Sequence, residues 1–196
     1  SVNYATIAEN NSNVMVLTDF DQIVKSIDGG NNFINISEGL PNAYITDVVF
    51  DPNNDNTIVV TYGSYWGNNN KVYITNDQGF SWQNITYNLG YLPVRSVVID
   101  HTENSTIYIG TEIGVYKKSM SSNSWELYSQ GLPNMSILEL DIVFGSNTLR
   151  AATWGRGLWE YSLDSRLNYP SILTTEISNP PSVVPEAEKV TLSPIE

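Results

Sequence analysis

The side chains in this sequence that could carry chemistry are few and scattered. The segment Tyr62-Gly-Ser-Tyr-Trp-Gly-Asn-Asn-Asn70 sets Tyr65 and Trp66 among amides and glycines. Aromatic rings bordered by amide donors and acceptors suit stacking on a sugar ring with hydrogen bonds at its edge. The same two rings equally suit folding back onto the body of the domain. Arg156, in Trp154-Gly-Arg-Gly-Leu-Trp159, has the planar fork that clamps a carboxylate. The role favoured for it is structural, ordering neighbouring carbonyls or an acidic residue. Asp19, Asp21 and Glu112 are acids of the kind a glycoside hydrolase sets across a cleft. No pattern around them separates them from solvated loop acids. Asp51-Pro-Asn-Asn-Asp55 opens like a calcium loop and then departs from it, with Asn56 and Tyr62 where Gly and a carboxylate are required. His101 is the only histidine and there is no cysteine, so a histidine triad, thiolate chemistry and Cys-ligated metal all fall away. No metal or cofactor is expected.

Composition narrows the class further. Of 196 residues, 41% are apolar and only 15% charged, which describes a folded chain rather than a disordered one. The net charge of −12, with scattered basic residues, argues against nucleic acid as a partner, because nothing would neutralise phosphates. No apolar run approaches the length of a membrane span. The chain opens at Ser1 with no leader-like segment, and is read as a mature form or a fragment. Sequons stand at Asn10, Asn35, Asn84, Asn104 and Asn134, and they arise easily by chance in so Asn-rich a chain.

The elements that must position these residues are announced by a repeated octapeptide. Thr75-Asn-Asp-Gln-Gly-Phe-Ser-Trp82 reads T-x-D-x-G-x-x-W, and Ser26-Ile-Asp-Gly-Gly-Asn-Asn-Phe33 reads S-x-D-x-G-x-x-F. A worn third copy ends in Ser124-Trp125. Asp28 and Asp77 carry acceptors for backbone N–H groups further along the turn. Gly30 and Gly79 tolerate a positive φ. Ser26 and Thr75 add a hydroxyl for the loop backbone, and Phe33 and Trp82 open the next strand. Each copy lies at the same place in a longer unit of roughly 42 to 49 residues with four short strands, the period of propeller blades. The first two units run over about residues 3–42 and 43–93; the third opens with the strand at 95–99 and the fourth with the strand at 140–144. Gly39-Leu-Pro41, Gly90-Tyr-Leu-Pro93 and Gly131-Leu-Pro133 each close a unit. First strands such as Thr46-Asp-Val-Val-Phe50 and Arg95-Ser-Val-Val-Ile99 are nearly continuous apolar runs, as strands buried on both faces are. The fourth strand of the last unit is missing or unrecognisable. Nothing reads as a helix.

These octapeptides and their in-phase repeat resemble the Asp-box repeats of sialidases, sortilin-type domains and xyloglucanase-like β-propellers, as found in secreted Bacteroidetes-type surface proteins. The fold implied is all-β: a β-propeller with about four blades visible, the last incomplete, expected to be the C-terminal part of a larger propeller. A four-bladed ring is the smaller possibility. Residues 1–164 would form the blades. Residues 165–196, with Pro170, Pro180, Pro181, Pro185 and Pro194, would form a linker or tail, or add a rim strand through residues 171–175. In propellers of this kind the Asp-box turns lie opposite the functional face. The resemblance therefore points to the loops between second and third strands, and between blades: Asp19, Phe20, Asp21, Asn42, Tyr44, Tyr62, Tyr65, Trp66, Tyr91, Glu112, Asn134, Trp154 and Arg156. A complete sialidase site cannot be assembled, since only Arg95, Arg150, Arg156 and Arg166 exist and the N-terminal arginine motif is absent. The expected function is that of a non-catalytic segment of a secreted or cell-surface protein. It would bind a glycan or protein on the loop face through Tyr62, Tyr65, Trp66, Glu112, Trp154 and Arg156, and join a surface assembly through its tail. The alternative is the C-terminal half of a sialidase- or xyloglucanase-like hydrolase.

Overall fold

A computed structural model describes residues 2–65, 69–101, 105–128, 134–163 and 171–172. They build four antiparallel sheets of four strands, each in simple sequence order. The first holds β1 (Tyr4–Ile7), β2 (Met15–Thr18), β3 (Ile23–Ser26) and β4 (Ile34–Asn35). The second holds β5 (Ile45–Asp51), β6 (Asn54–Tyr62), β7 (Val72–Thr75) and β8 (Gln83–Asn84). The third holds β9 (Val94–Ile99), β10 (Thr106–Thr111), β11 (Gly114–Ser119) and β12 (Glu126–Leu127). The fourth holds β13 (Ile137–Val143), β14 (Thr148–Thr153), β15 (Gly157–Ser162) and β16 (Ser171–Ile172). The only helical pieces among the described residues are single 3-10 turns at Tyr87–Leu89 and Phe144–Ser146.

First strands β1, β5, β9 and β13 pack successively side by side, while the fourth strands β4, β8 and β12 are exposed. Short sheets set face to face around their first strands, in sequence order, are the blades of a β-propeller. Apolar side chains fill the three spaces between successive blades. Val16 and Ile23 meet Val48, Phe50 and Val60 in the first space. Val59 and Val72 meet Val97, Ile107 and Ile109 in the second. Tyr108 and Val115 meet Leu140, Leu149 and Ala151 in the third. Each such buried side chain contributes about 1.5–3 kcal/mol. The β-branched runs thus form strands because both their faces are covered, not because of propensity alone.

The two intact octapeptides close their hairpins with the same bonds. Ser26 Oγ accepts from the N–H groups of Asp28 and Gly30 and donates to Asp28 Oδ1 at 2.8 Å. Asp28 then accepts the Asn32 N–H at 2.9 Å. In the second copy Thr75 Oγ1 accepts from Asp77 N and Gly79 N, and donates to Asp77 Oδ1 at 2.6 Å. Asp77 accepts the Ser81 N–H at 2.9 Å. These donors hold both carboxyls at about 2, below the ordinary carboxylate value. Gly30 and Gly79 take φ of +89° and +90°. The aromatic that ends the turn does more than open a strand. Trp82 Nε1 donates to Ile36 O, and Trp125 Nε1 to Ile85 O, each at 2.8 Å, so each blade is pinned to the end of the one before.

The sequence left the outer strand of the fourth blade either missing or supplied from residues 171–175, and the second course holds at Ser171–Ile172: β16 pairs antiparallel with β15, Ile172 opposite Trp159 and Ser171 opposite Glu160. The pairing is non-local and only two residues long, so no periodicity announces it. The rest of residues 165–196, with Arg166 and the prolines, lies outside the described residues, as do Trp66, Asn104 and residues 131–133.

Candidate functional site

The β2–β3, β6–β7, β10–β11 and β14–β15 loops share one end of the molecule with the connections between blades. Ile45 N donates to Phe20 O at 2.9 Å, Gly63 N to Tyr44 O at 3.4 Å, and Trp154 N to Ser136 O at 2.9 Å. This is the loop face. The remaining turns gather at the opposite end. There Asn10 Nδ2 donates to Pro52 O, Asn53 Nδ2 donates to Ser105 Oγ, and His101 Nε2 lies 2.8 Å from Glu9 Oε2.

Aromatic rings collect on the loop face. Tyr65, Tyr91 and Trp154 are 59%, 68% and 72% exposed. Phe20 and Tyr44 are also exposed and pack with their rings tilted by 52°, 5.3 Å between centroids. At the middle lies an ion pair. Arg95 Nε donates to Glu112 Oε1 at 2.6 Å, and Tyr65 and Ser136 also bond to Glu112. Burial pushes the Glu112 carboxyl up, but the bonds from Arg95 and Tyr65 outweigh it and hold the group below its ordinary value. The pair lies within the third blade, between β9 and the β10–β11 loop, with Tyr65 of the second blade beside it.

Each first strand from the second blade onward carries a β-bulge where it leaves this face. The register skips Thr46 in β5, Arg95 in β9 and Leu138 in β13. Bulges re-aim side chains, and here they bring Asp47 and Glu139 toward Tyr4. Asp47 Oδ1 accepts the Val48 N–H and Oδ2 the Val97 N–H, both at 2.8 Å. Burial nevertheless pushes this carboxyl up to about 7, and Glu139 adds to the rise. Glu139, although its residue is exposed, is raised by partial desolvation among its neighbours and then by the Asp141 charge. Tyr4 is pushed up to about 12 by burial, then by its bond to Tyr44 and the charges of Asp47 and Glu139.

The structure sorts the sequence candidates. Tyr65, Glu112, Trp154 and the exposed Arg156 lie on the loop face, where the Arg156 carbonyl accepts the Trp159 indole N–H at 3.1 Å. Trp66 lies outside the described residues. Tyr62 does not belong to the surface. It ends β6 rather than starting the loop, is fully buried against the first blade, and sets its ring edge-on to Tyr73 at 5.9 Å. Its strand position decides this, since the loop begins only at Gly63. Asp19 and Asp21 lie at the β2–β3 loop beside Phe20. Sequence reading passed over Asp47 and Glu139 and gave Arg95 no role. The available signal was a charged residue interrupting an otherwise apolar first strand. Among the described residues no group of three His, Asp or Glu side chains is placed to hold a metal ion. Nor is any helix long and apolar enough to cross a membrane.

No protein-family model matches the sequence, and no curated protein matches it. Solved structures do. The GH74 enzyme of Niastella koreensis covers 87% of this chain at 17% identity and a TM-score of 0.67. The GH74 xyloglucanase of Xanthomonas campestris also covers 87%, at 14% identity and a TM-score of 0.68. The extracellular domain of the BT4673 one-component system of B. thetaiotaomicron covers 91%, at 20% identity and a TM-score of 0.65. At such identities the likeness is one of fold: the chain is an all-β array of propeller blades. It spans only 29%, 30% and 23% of the lengths of these three structures.

Proposed function

We propose that this chain is a non-catalytic, Asp-box-type propeller segment of a secreted or cell-surface protein, and that it binds a glycan or a protein on its loop face. The observation that carries the reading is the set of five exposed rings, Phe20, Tyr44, Tyr65, Tyr91 and Trp154, on one end of the molecule. Exposed aromatic side chains gathered on one face mark a recognition surface; Phe33 and Phe80, the other exposed rings among the described residues, stand at the octapeptide turns of the opposite end. The Arg95–Glu112 pair beside Tyr65 adds a fixed pair of charges to that surface. An extracellular setting agrees with the kinds of protein that share the fold, and the chain beyond β16 would join a surface assembly.

The test is titration of the chain against a panel of plant and host oligosaccharides, with wild type beside Tyr65→Ala/Trp154→Ala. Loss of at least tenfold in affinity is expected in the double variant. An unchanged affinity would move the binding surface elsewhere. A second reading, a segment of a propeller hydrolase, is favoured by one observation: the raised carboxyls of Asp47 and Glu139 near the inner strands. Release of reducing sugar from xyloglucan that disappears in Glu139→Gln would replace the binding reading with this one.

A further inference from the structure

The third copy of the octapeptide departs from the other two, and a cleft opens where it does so. In alignment, Lys118-Ser-Met-Ser-Ser-Asn-Ser-Trp125 lies under Thr75-Asn-Asp-Gln-Gly-Phe-Ser-Trp82. The pairing confirms the alignment, because Thr75 stands opposite Ile58 in β6 and Lys118 opposite Ile107 in β10. The turn hydroxyl is thus replaced by Lys118, the acid by Met120 and the glycine by Ser122.

Between the first and second blades the intact turn closes the gap. A Cβ on Gly79 would lie only 2.7 Å from the Ile36 side chain, so backbone sits directly on that residue. Lys25 reaches over and donates to Gln78 O at 2.7 Å. Between the second and third blades the residue equivalent to Ile36 is Ile85; it stays buried, and beside it lies an open cleft of about 500 Å3 that it helps to line. Lys118, 4% exposed, takes over the organising role of the missing turn and donates to Ser119 O at 2.9 Å. Its ammonium also lies 5.9 Å from the centre of the Tyr87 ring. Burial lowers the pKa of this amine.

The walls are built from groups that recognise hydroxyls. Asn76, Gln83 and Asn123 present amides, and Tyr87 presents a ring. Asp51 and Lys118 oppose each other in charge, so the lining has no net preference for an ion. Two wall residues, Tyr87 and Ser105, hold positive φ of 44° and 37°. Neither is glycine, and such strain persists only where the surroundings impose it; it gathers at functional sites. The cleft volume falls in the range of small-molecule sites. The third unit departs from the octapeptide of the first two and gains a strained polar cleft there, as sequences do at functional positions.

We propose that this cleft between the second and third blades is a second binding site, on the end opposite the loop face, for a neutral saccharide unit. Amides bond the hydroxyls, Tyr87 covers the sugar face, and Lys118 fixes the wall from below. The site is independent of the loop-face reading.

The experiment rebuilds the missing turn. Lys118→Thr/Met120→Asp/Ser122→Gly converts the third octapeptide to the pattern of the second. The variant is expected to close the cleft and keep or raise the Tm. The probes are neutral trisaccharides, cellotriose, maltotriose and mannotriose, followed by chemical-shift perturbation of the backbone amides around Gln83, Tyr87 and Asn123. Wild type and Tyr65→Ala/Trp154→Ala are expected to show the same saturable shifts at these amides. The rebuilt variant, and Asn123→Trp, are expected to bind at least tenfold more weakly. Absence of saturable shifts in wild type with every probe overturns the proposal. So does unchanged binding in the rebuilt variant, or binding that vanishes in the loop-face variant instead.

Discussion

At the scale of the residue, the chain shows how one position decides between surface and core. Tyr62 and Tyr65 stand three apart in a segment that reads as one aromatic loop, yet the first is buried and the second is exposed beside an ion pair. Asp47 has a different consequence. Its carboxyl rises from 3.8 to about 7 on folding, so the folded state holds its proton more tightly than the unfolded chain. That contribution is full below about pH 4 and is lost as pH rises through 7. Asp28 and Asp77 act oppositely. Their carboxyls fall to about 2, so their contribution is present above pH 4 and is lost as pH falls toward 2. Thermal unfolding across pH is therefore expected to give highest stability near pH 4 to 5, with declines on both sides. Carbon-13 labelling should show the Asp47 carboxyl titrating near pH 7, and a midpoint near 4 would remove the alkaline decline.

At the scale of the element, the hairpins of the first and second blades are closed by their own hydroxyl, acid and glycine, and Trp82 and Trp125 fasten the second and third blades to the one before. Gly79 separates the two duties. Alanine there meets both an unfavourable φ of +90° and the Ile36 side chain at 2.7 Å. Alanine at Gly30 meets the same φ of +89°, with only Met15 Sδ at 3.4 Å. Both substitutions should cost about 1–3 kcal/mol from the backbone. Gly79→Ala should cost a further ~1–3 kcal/mol from overpacking between blades. Urea denaturation of the two variants measures the difference, and equal losses would mean that Ile36 simply yields. The two glycines look alike in sequence because the turn demands both; only Gly79 has a neighbour blade beneath it.

At the scale of the whole molecule, successive blades use equivalent faces. The register places Val48, Val60 and Tyr73 on the face of the second blade that meets the first. It places Val97, Ile109 and Tyr116 on the face of the third that meets the second. The equivalent residues of the first blade are Ala5, Leu17 and Val24, and beside them Ile7 is 54% exposed. Continuity with the two buried faces makes another sheet of this kind the natural cover. The 196-residue chain is accordingly expected to self-associate through it. Ile7→Lys/Leu17→Lys should shift sedimentation toward monomer without lowering the Tm by more than a few degrees. Association that persists in this variant would place the contact elsewhere.

The sequence by itself determined what is local. An acid, a hydroxyl and a glycine at fixed spacing close a turn with bonds no more than four residues long. Apolar runs at a regular period then return as strands, so the blades and the tight turns between their strands were legible. The tertiary structure decided whatever depends on partners far along the chain. Asp47 reaches Val97, Trp82 reaches Ile36, and β16 pairs with β15. The burial of Tyr62, the Arg95–Glu112 pair and the cleft beside Lys118 belong to the same class. The burial of Tyr62 and the cleft arise where two blades meet, while the Arg95–Glu112 pair joins β9 to the β10–β11 loop of one blade; a strand pattern records which of its faces is apolar without recording what will face it.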